Sequence, residues 1–164
     1  MQRSFFLSRG VRFAAILALA VFAAACSKNP IDPANPAAAA AVPGSAQDFI
    51  VNVGDRVFFE VDSSELTPQA RATLDKQAQW LTLYNRYSFT VEGHADERGT
   101  REYNIALGAR RAQSVREYLV ARGVDGSRMR TISYGKERPV AVCNDISCWS
   151  QNRRSVTVLN NAGA

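Results

Sequence analysis

Residues 91–112 read VEGHADERGTREYNIALGARRA, and this stretch decides the fold of the chain. Apolar and polar residues alternate up to Gly93, which predicts a strand that ends there. The polar run from His94 to Thr100 predicts a turn. From about Arg101 the apolar residues recur at helical spacing, so the stretch predicts a strand, a turn and a helix in direct succession.

The predicted helix carries Asn104, Leu107 and Arg111 on one face. At about 100° per residue, their spacing keeps the three side chains within an arc of about 60°. The turn places Asp96 just before this helix, so a carboxylate and a guanidinium could face one another across a shallow site. Such a pair suits a ligand that carries an ammonium and a carboxylate together. Spacing alone leaves open a simple ion pair between Asp96 and Arg111, or two solvated charges.

Residues 1–25 have the character of a secretory signal. Arg3, Arg9 and Arg12 precede an apolar run from Phe13 to Ala25 that contains no charge. A run of this length is too short for a bilayer, which requires about 20 apolar residues, but it fits the apolar region of a signal peptide. We therefore expect residues 1–25 to be removed.

The predicted signal ends in small residues before a cysteine, Phe22-Ala-Ala-Ala-Cys26. This arrangement resembles the lipobox of bacterial lipoproteins, in which cleavage exposes the cysteine for acylation. Ala23 stands where the lipobox usually has a leucine. We expect Cys26 to be lipidated; the alternative is an ordinary cleavage site followed by an incidental cysteine.

Removal of the predicted signal changes the net charge. The full sequence has 20 basic and 15 acidic residues, for a formal charge of +5. Three of the arginines lie in the signal, which leaves 17 basic against 15 acidic residues, or +2. A nucleic-acid-binding surface needs a clustered excess of positive charge, so we expect no nucleic acid as a partner.

Two cysteines remain after Cys26, and they lie close together in a predicted loop as Cys143 and Cys148. In an oxidising compartment this even pair predicts a disulfide, and closure of so small a ring contributes about 2 kcal/mol in the chain-entropy model. A metal site is a poor alternative, because the pair lacks two further ligands and the single histidine, His94, is far away in the sequence. We therefore predict no metal ion.

Residues 26–47 have the composition of a tether. They contain four of the six prolines together with Ala, Asn and Ser, and no aromatic residue. Such a segment cannot bury a core and predicts an extended linker, on the order of 60 Å long at about 3.1 Å per residue. Residues 48–160 predict one folded domain, and residues 161–164 a short tail.

The domain is predicted to be α+β, in the order strand, helix, strand, helix, strand, strand. Alternation predicts the first strand over Val51–Val61, and Thr67-Pro68 predicts the N-cap and first residue of the first helix. The remaining elements are a strand at 89–93, a helix at 101–122, a strand at 131–134, a loop to about 151 and a strand near 156–158. We expect two main helices on one face of a small mixed four-stranded sheet.

Enzymatic chemistry finds little support in the sequence. Ser63, His94 and Asp96 include the residue types of a nucleophile, a base and an orienting group, but no strand-turn-helix elbow presents a serine. A calcium loop that starts at Asp96 fails because its sixth position is Arg101 rather than glycine. The glycines lack the spacing of a phosphate-binding loop. We therefore expect no catalytic residue and no cofactor.

Several motifs of the chain resemble those of the OmpA-like peptidoglycan-binding domains. They are Glu92-Gly-His-Ala-Asp96-Glu-Arg-Gly-Thr100, the spacing Asn104-x-x-Leu107-x-x-x-Arg111-Ala112, the segment Ser133–Pro139 and the triplet Asn152-Arg153-Arg154. They occur in the family's order and cover roughly residues 57–159. The resemblance implies an OmpA-like βαβαββ sandwich.

The resemblance also implies a ligand and the residues that hold it. Members of the family bind the meso-diaminopimelate of the peptidoglycan stem peptide non-covalently. Asp96 matches the aspartate that holds the ligand's ammonium, and Arg111 matches the arginine that holds its carboxylate. The other matches are with residues that line or support the pocket: Val61, Asp62, Asn104, Leu107 and Arg154. We expect Arg154 to act in support, and His94 to lie beside the pocket.

The last two motifs resemble the lipoproteins of this family that join the outer membrane to the wall. They imply an outer-membrane lipoprotein with acyl chains on Cys26 and a periplasmic domain that binds peptidoglycan without reaction. They also imply the Tol system as partner, notably TolB, in envelope integrity and cell division. The alternatives are a flagellar-stator-like or OmpA-like wall-binding protein on a membrane element, and a periplasmic wall hydrolase.

Overall fold

The computed structural model describes residues 41–160, which form four α-helices around one four-stranded sheet. The strands are β1 (Arg56–Phe58), β2 (Phe89–His94), β3 (Met129–Gly135) and β4 (Arg154–Leu159). The helices are α1 (Ala46–Asp48), α2 (Pro68–Leu83), α3 (Arg101–Ala121) and α4 (Ile146–Asn152). A π-helix at Phe49–Val53 and a 3₁₀-helix at Gly126–Arg128 complete the described part.

Several predicted features lie outside the described residues. They are the signal at residues 1–25, the lipidated Cys26, most of the tether and the tail at 161–164. Across residues 41–160, no helix is long and apolar enough to cross a membrane.

The sheet is mixed and has the strand order β1-β4-β2-β3. Both β1 and β2 pair antiparallel with β4, whereas β2 and β3 run parallel. Parallel neighbours need a long crossover, and α3 supplies it. The predicted α+β class with a mixed four-stranded sheet is confirmed.

The two long helices begin as the sequence predicts. The hydroxyl of Thr67 accepts a hydrogen bond from the amide of Ala70, and Pro68 is the first residue of α2. Helix α3 has Thr100 as its N-cap and is followed by Gly123, whose φ of 90° suits a glycine. The apolar faces of both helices meet the sheet in one core, whose fully buried members include Leu74, Leu81, Phe89, Val91, Val115 and Leu119.

Helix α3 lies against β2 at a contact between two glycines. A Cβ atom on Gly93 would lie 1.9 Å from the carbonyl oxygen of Gly108, and one on Gly108 would lie 2.8 Å from the oxygen of Gly93. Only glycine allows this approach. The contact brings the next turn of α3, which carries Arg111, to the end of β2.

The predicted first strand is wrong in its first half. The chain forms a π-helix at Phe49–Val53, and β1 is limited to Arg56–Phe58. The alternating valines of this region suggested a strand, but Phe49 is buried with its ring 4.9 Å from that of Trp80. Packing against α2 therefore overrides the local alternation.

The predicted boundary between tether and domain at residue 47 is a few residues too late. Buried Asp48 accepts hydrogen bonds from the amide of Gly44 and the indole of Trp80, each at 2.8 Å. The carbonyl of Gly44 accepts from Tyr87 at 2.8 Å. The hydrogen bonds to the Asp48 carboxylate, with the bond from Trp80 as the largest cause, hold the pKa of Asp48 below its usual value. The folded domain thus begins by Gly44.

The predicted loop before β4 contains a helix. Asp145 caps α4 by accepting a hydrogen bond from the amide of Ser147 at 2.7 Å. Cys143 and Cys148 are joined in a disulfide, as predicted. The side chain of Asn152 bonds to the backbone of Val140 and Ala141 and ties the far end of α4 to the preceding chain.

Candidate binding site

Asp96 lies in the turn between β2 and α3 and is 7% exposed. Its oxygen Oδ1 accepts from the backbone amide of Arg98 at 3.2 Å and from Nε of Arg98 at 3.0 Å. Its oxygen Oδ2 accepts from Arg98 at 2.7 Å and from Arg153 at 3.4 Å. Burial acts to raise the pKa of Asp96, but the bonds and charge of Arg98, with a smaller contribution from Arg153, outweigh it and hold that pKa below the usual value. Asp96 is therefore a carboxylate at neutral pH.

Arg111 on α3 is completely buried. Its guanidinium donates to three backbone carbonyls, those of Ser63 at 2.8 Å, His94 at 2.8 Å and Glu60 at 3.1 Å. Burial lowers the pKa of Arg111 to about 10, and the charge of Arg153 acts in the same direction, so the side chain remains a cation at neutral pH. A guanidinium has five N–H donors, so each terminal nitrogen of Arg111 keeps one for a further acceptor.

The structure brings six of the seven predicted ligand-binding residues to one cavity of about 280 Å³. They are Val61, Asp62, Asp96, Asn104, Leu107 and Arg111. Three further residues line it: Arg98, Gly99 and Tyr103. Within the described residues, no ion pair joins Asp96 to Arg111, which disfavours the simple ion pair that spacing left open. The two charges are instead held by separate partners, Asp96 by Arg98 and Arg153, and Arg111 by three backbone carbonyls.

One side of the cavity is formed by the turn after β1. Asp62 has a φ of 56°, in the left-handed region that few residues other than glycine adopt. The hydroxyl of Tyr103, in the first turn of α3, donates a hydrogen bond to the carboxylate of Asp62. This contact joins the predicted backbone segment to the helix that carries Asn104 and Leu107.

The neighbouring arginines at the start of β4, Arg153 just before it and Arg154 as its first residue, have different partners. Arg153 reaches Asp96 and also donates to the carbonyl of Phe59 at 3.0 Å. Arg154 does not line the cavity; it is buried and donates to the carbonyl of Arg138 at 3.1 Å. Arg153 stands between the end of α4 and the start of β4, and its side chain, rather than that of Arg154, reaches Asp96. Arg153 therefore takes the supporting position for which the sequence suggested Arg154.

His94 lies beside the cavity and not in its wall. Its ring is 2% exposed and stacks on that of Tyr134, with centroids 5.6 Å apart. Burial, together with the charges of Arg154 and Arg138, lowers the pKa of His94 to about 4. The imidazole is neutral at physiological pH, and it contributes to the site through its carbonyl, which holds Arg111.

Residues from α4 reach the site from outside. The guanidinium carbon of Arg98 lies 4.3 Å from the ring centroid of Trp149. The indole N–H of Trp149 donates to Glu97 at 3.0 Å. The sequence predicted a loop where α4 lies, so the contact of Trp149 with the site was not predicted. The only available signal for Arg98 was its position two residues after Asp96, which permits a local turn closed by the aspartate side chain.

The described residues contain one cluster with metal-ligating side chains. The ligand atoms of Cys143, Asp145 and Cys148 lie within 4.8 Å of one another. Both sulfurs belong to the disulfide, which leaves a single carboxylate, and this donor set does not fit a structural metal.

The cavity combines an anionic pole, a cationic pole and an apolar side chain. Asp96 and Asp62 supply negative charge, Arg111 supplies a fixed positive charge, and Leu107 of α3 supplies the apolar side chain. Opposite charges held apart suit a zwitterionic end of a small molecule, because each ligand charge meets a fixed partner.

Comparison with known proteins agrees with the motifs. Residues 58–153 match the OmpA family, which is more than half of the chain. A peptidoglycan-associated lipoprotein of Rhizobium meliloti is 64% identical over 94% of this chain and 89% of its own length. The chain belongs to the OmpA family, in its peptidoglycan-associated lipoprotein branch. The predicted family is thus confirmed.

Solved structures confirm the predicted fold of this family. The crystal structure of the peptidoglycan-associated lipoprotein from Burkholderia pseudomallei is 42% identical, with a TM-score of 0.63 over 65% of this chain and 90% of that one. The C-terminal domain of Helicobacter pylori MotB is 22% identical, with a TM-score of 0.61 over 65% of this chain and 84% of that one. The second likeness concerns the fold alone.

Proposed function

We propose that this chain is an outer-membrane lipoprotein that binds peptidoglycan without chemical reaction and links the outer membrane to the cell wall. The observation that carries the proposal is the cavity in which Asp96 and Arg111 stand as separate, oppositely charged poles. Membership of the peptidoglycan-associated lipoprotein branch supports it, since the relatives' name states both the lipid and the wall.

The ligand end that suits this cavity is the meso-diaminopimelate of the stem peptide. Its side-chain end carries an ammonium and a carboxylate on one carbon. Asp96 receives the ammonium, and the two spare donors of Arg111 receive the carboxylate in a bidentate contact. Asn104 and Leu107 shape the space between the poles, and the Val61-Asp62 turn closes its side.

The anchor in this proposal is Cys26 at the end of the predicted signal. Two or more acyl chains are needed for stable attachment to a membrane, and a triacylated cysteine supplies them. The tether then crosses the gap to the domain. Each contact with the wall can be weak, because many copies that face one sheet of wall bind with avidity.

The Tol system, with TolB as the direct partner, completes the proposal, which extends to envelope integrity and cell division. The resemblance to the lipoprotein members of the family is its support. A pull-down with TolB on the full chain tests this part: retention of TolB is expected, and its absence at micromolar concentrations of both proteins would contradict the partnership.

The test of wall binding is co-sedimentation with purified sacculi. We expect the full chain, purified in detergent, to sediment with sacculi, and Asp96→Asn to reduce sedimentation at least tenfold, because the substitution keeps the shape of the side chain but removes its charge. Glu65→Gln is the matched control, since Glu65 is exposed and lies outside the cavity. Equal sedimentation of Asp96→Asn and the control would refute the site.

The same assay separates the alternatives. A wall hydrolase releases soluble fragments from sacculi over time, whereas an anchor sediments without release. A Cys26→Ser variant should move from the membrane to the soluble periplasmic fraction, and unchanged membrane association would contradict lipidation there.

A further inference from the structure

The carboxylate of Asp96 is fully occupied within the protein. A carboxylate has about four lone-pair positions, two on each oxygen. Oδ1 accepts from the amide and Nε of Arg98, and Oδ2 accepts from a terminal nitrogen of Arg98 and from Arg153. A ligand ammonium can bind Asp96 only after at least one of these four donors has left.

The donors differ in their freedom to leave. The guanidinium of Arg153 is 5% exposed and is also bound to the carbonyl of Phe59, and the amide of Arg98 belongs to the turn itself. The side chain of Arg98 is 42% exposed and supplies two of the four bonds. It also lines the cavity. The Arg98 side chain is therefore the donor that can be exchanged for a ligand.

Trp149 supports Arg98 from the outer side. The guanidinium of Arg98 lies over the indole ring, at 4.3 Å from its centroid, while the indole N–H is bound to Glu97. Trp149 is next to Cys148 in α4, and the disulfide and the bonds of Asn152 attach this helix to the chain that precedes it. The aromatic face is thus held in place by contacts that do not involve the cavity.

We propose that Arg98 is an internal substitute for the ligand ammonium: its guanidinium occupies Asp96, is kept there by Trp149, and must be displaced for binding. This inference rests on the function proposed for the cavity. Arg98 sets the affinity for the ligand, because the ligand can bind only the fraction of molecules in which Asp96 is free. Trp149 is a positioning residue that raises the occupancy of Asp96 by Arg98.

Calorimetric titration of the full chain in detergent tests this inference. The probe is a soluble tripeptide that ends in meso-diaminopimelate. We expect Arg98→Ala to bind about tenfold more tightly if Arg98 occupies Asp96 in roughly nine molecules of ten. Trp149→Ala should strengthen binding about two- to fourfold, because loss of one partly exposed cation–π contact lowers the occupancy of Asp96 without abolishing it. Trp149→Phe, which keeps an aromatic face, should stay near the starting affinity.

A second measurement separates displacement from a general structural effect. Arg98 holds the pKa of Asp96 down, so the loss of its guanidinium raises that pKa. Binding by Arg98→Ala should therefore be lost at a higher pH on acidification than binding by the starting protein. A variant whose fold is only less stable should have a changed melting temperature, but it should lose binding at the same pH as the starting protein.

The outcomes are distinguishable. Unchanged or weaker binding by a folded Arg98→Ala overturns the role of Arg98, and if the starting protein still binds the tripeptide, the proposed function stands. A different result is that neither the starting protein nor Arg98→Ala binds the tripeptide, and that Asp96→Asn sediments with sacculi as well as the starting protein does. In that case the proposed function fails, and the inference fails with it. Tight binding by Arg98→Ala alone supports both.

Discussion

The cavity has a floor and a rim that are built differently. The floor, formed by Asn104, Leu107 and Arg111 on α3, is buried, and its cation is bound to backbone carbonyls from three separate positions. The rim, formed by Val61, Asp62, Arg98 and Tyr103, is largely exposed, and its contacts join side chain to side chain. Backbone carbonyls cannot rotate away, whereas exposed side chains can exchange partners.

This difference assigns different duties to two arginines of one cavity. The guanidinium of Arg111 is removed from water, and the dipoles of its backbone carbonyl partners compensate for the lost hydration. Arg111 is therefore a permanent part of the fold. Arg98 keeps its contact with water and holds Asp96 through bonds that a ligand can replace. In the function proposed for the cavity, the fixed charge on the floor provides specificity for a ligand carboxylate, and the exchangeable charge on the rim adjusts the affinity for a ligand ammonium.

The largest expected effect comes from removal of the floor cation. Arg111→Ala leaves the carbonyls of Glu60, Ser63 and His94 without their donor, so we expect a loss of about 4 kcal/mol in the free energy of unfolding together with the loss of sacculus binding. Urea denaturation measures the first and co-sedimentation the second.

The neighbouring residue supplies the control for this prediction. Arg110 is exposed on the same helix, and Arg110→Ala should change both quantities little. If the two variants unfold at the same urea concentration, Arg111 is not part of the fold and the contrast between floor and rim is wrong.

The next effect concerns His94, whose backbone carbonyl accepts a hydrogen bond from Arg111 of the floor. Its pKa is lowered from 6.5 to about 4, so the unfolded chain takes up a proton at a higher pH than the folded one. The stability contribution is present above the unfolded pKa and is lost as the pH falls from about 6.5 to about 4, by about 3 kcal/mol in total.

A variant without the imidazole isolates this contribution. His94→Phe keeps a ring for the stack on Tyr134 but cannot be protonated. Urea denaturation at several pH values should show a smaller loss of stability between pH 7 and pH 4 in the variant than in the starting protein, since carboxylates titrate in both. Parallel curves would show that His94 is not held neutral by the fold.

The smallest effect is expected from the support of the rim. Removal of the disulfide by Cys143→Ser together with Cys148→Ser should lower stability by about 2 kcal/mol. It should also make α4 and Trp149 less firmly held. Binding of the soluble tripeptide should then become stronger, as for Trp149→Ala, but by a smaller factor. Val142→Ala serves as control, since the side chain of Val142 is exposed and lies next to Cys143 in the chain. A weakening of tripeptide binding by the double variant would contradict this account of the rim.

Local sequence was sufficient for the elements that carry the site. The strand before Gly93, the start of the helix at Arg101 and the three-and-four spacing of α3 depend on interactions within a few residues, and all are found where predicted. The position of Asp96 just before α3 follows from the same pattern. Six of the seven predicted ligand-binding residues therefore line one cavity.

Tertiary structure alone decided what those residues touch. The carbonyls of Glu60 and Ser63 are 51 and 48 residues away from Arg111 in the chain, and no periodicity reports such a contact. The choice between Arg153 and Arg154 depends on how the junction between α4 and β4 packs against the turn that carries Asp96. The π-helix at Phe49–Val53 likewise exists because Phe49 packs on Trp80, against a local pattern that favours a strand.

The sequence by itself therefore determined β2, α2 and α3 through local spacing and turn chemistry, and its motifs identified the family and pointed to Asp96 and Arg111. The tertiary structure decided that Arg111 is buried behind backbone carbonyls and that Arg98 occupies Asp96. The reason is physical: a side chain's burial and partners are set by segments far apart in the chain, which meet only when the sheet and helices have packed.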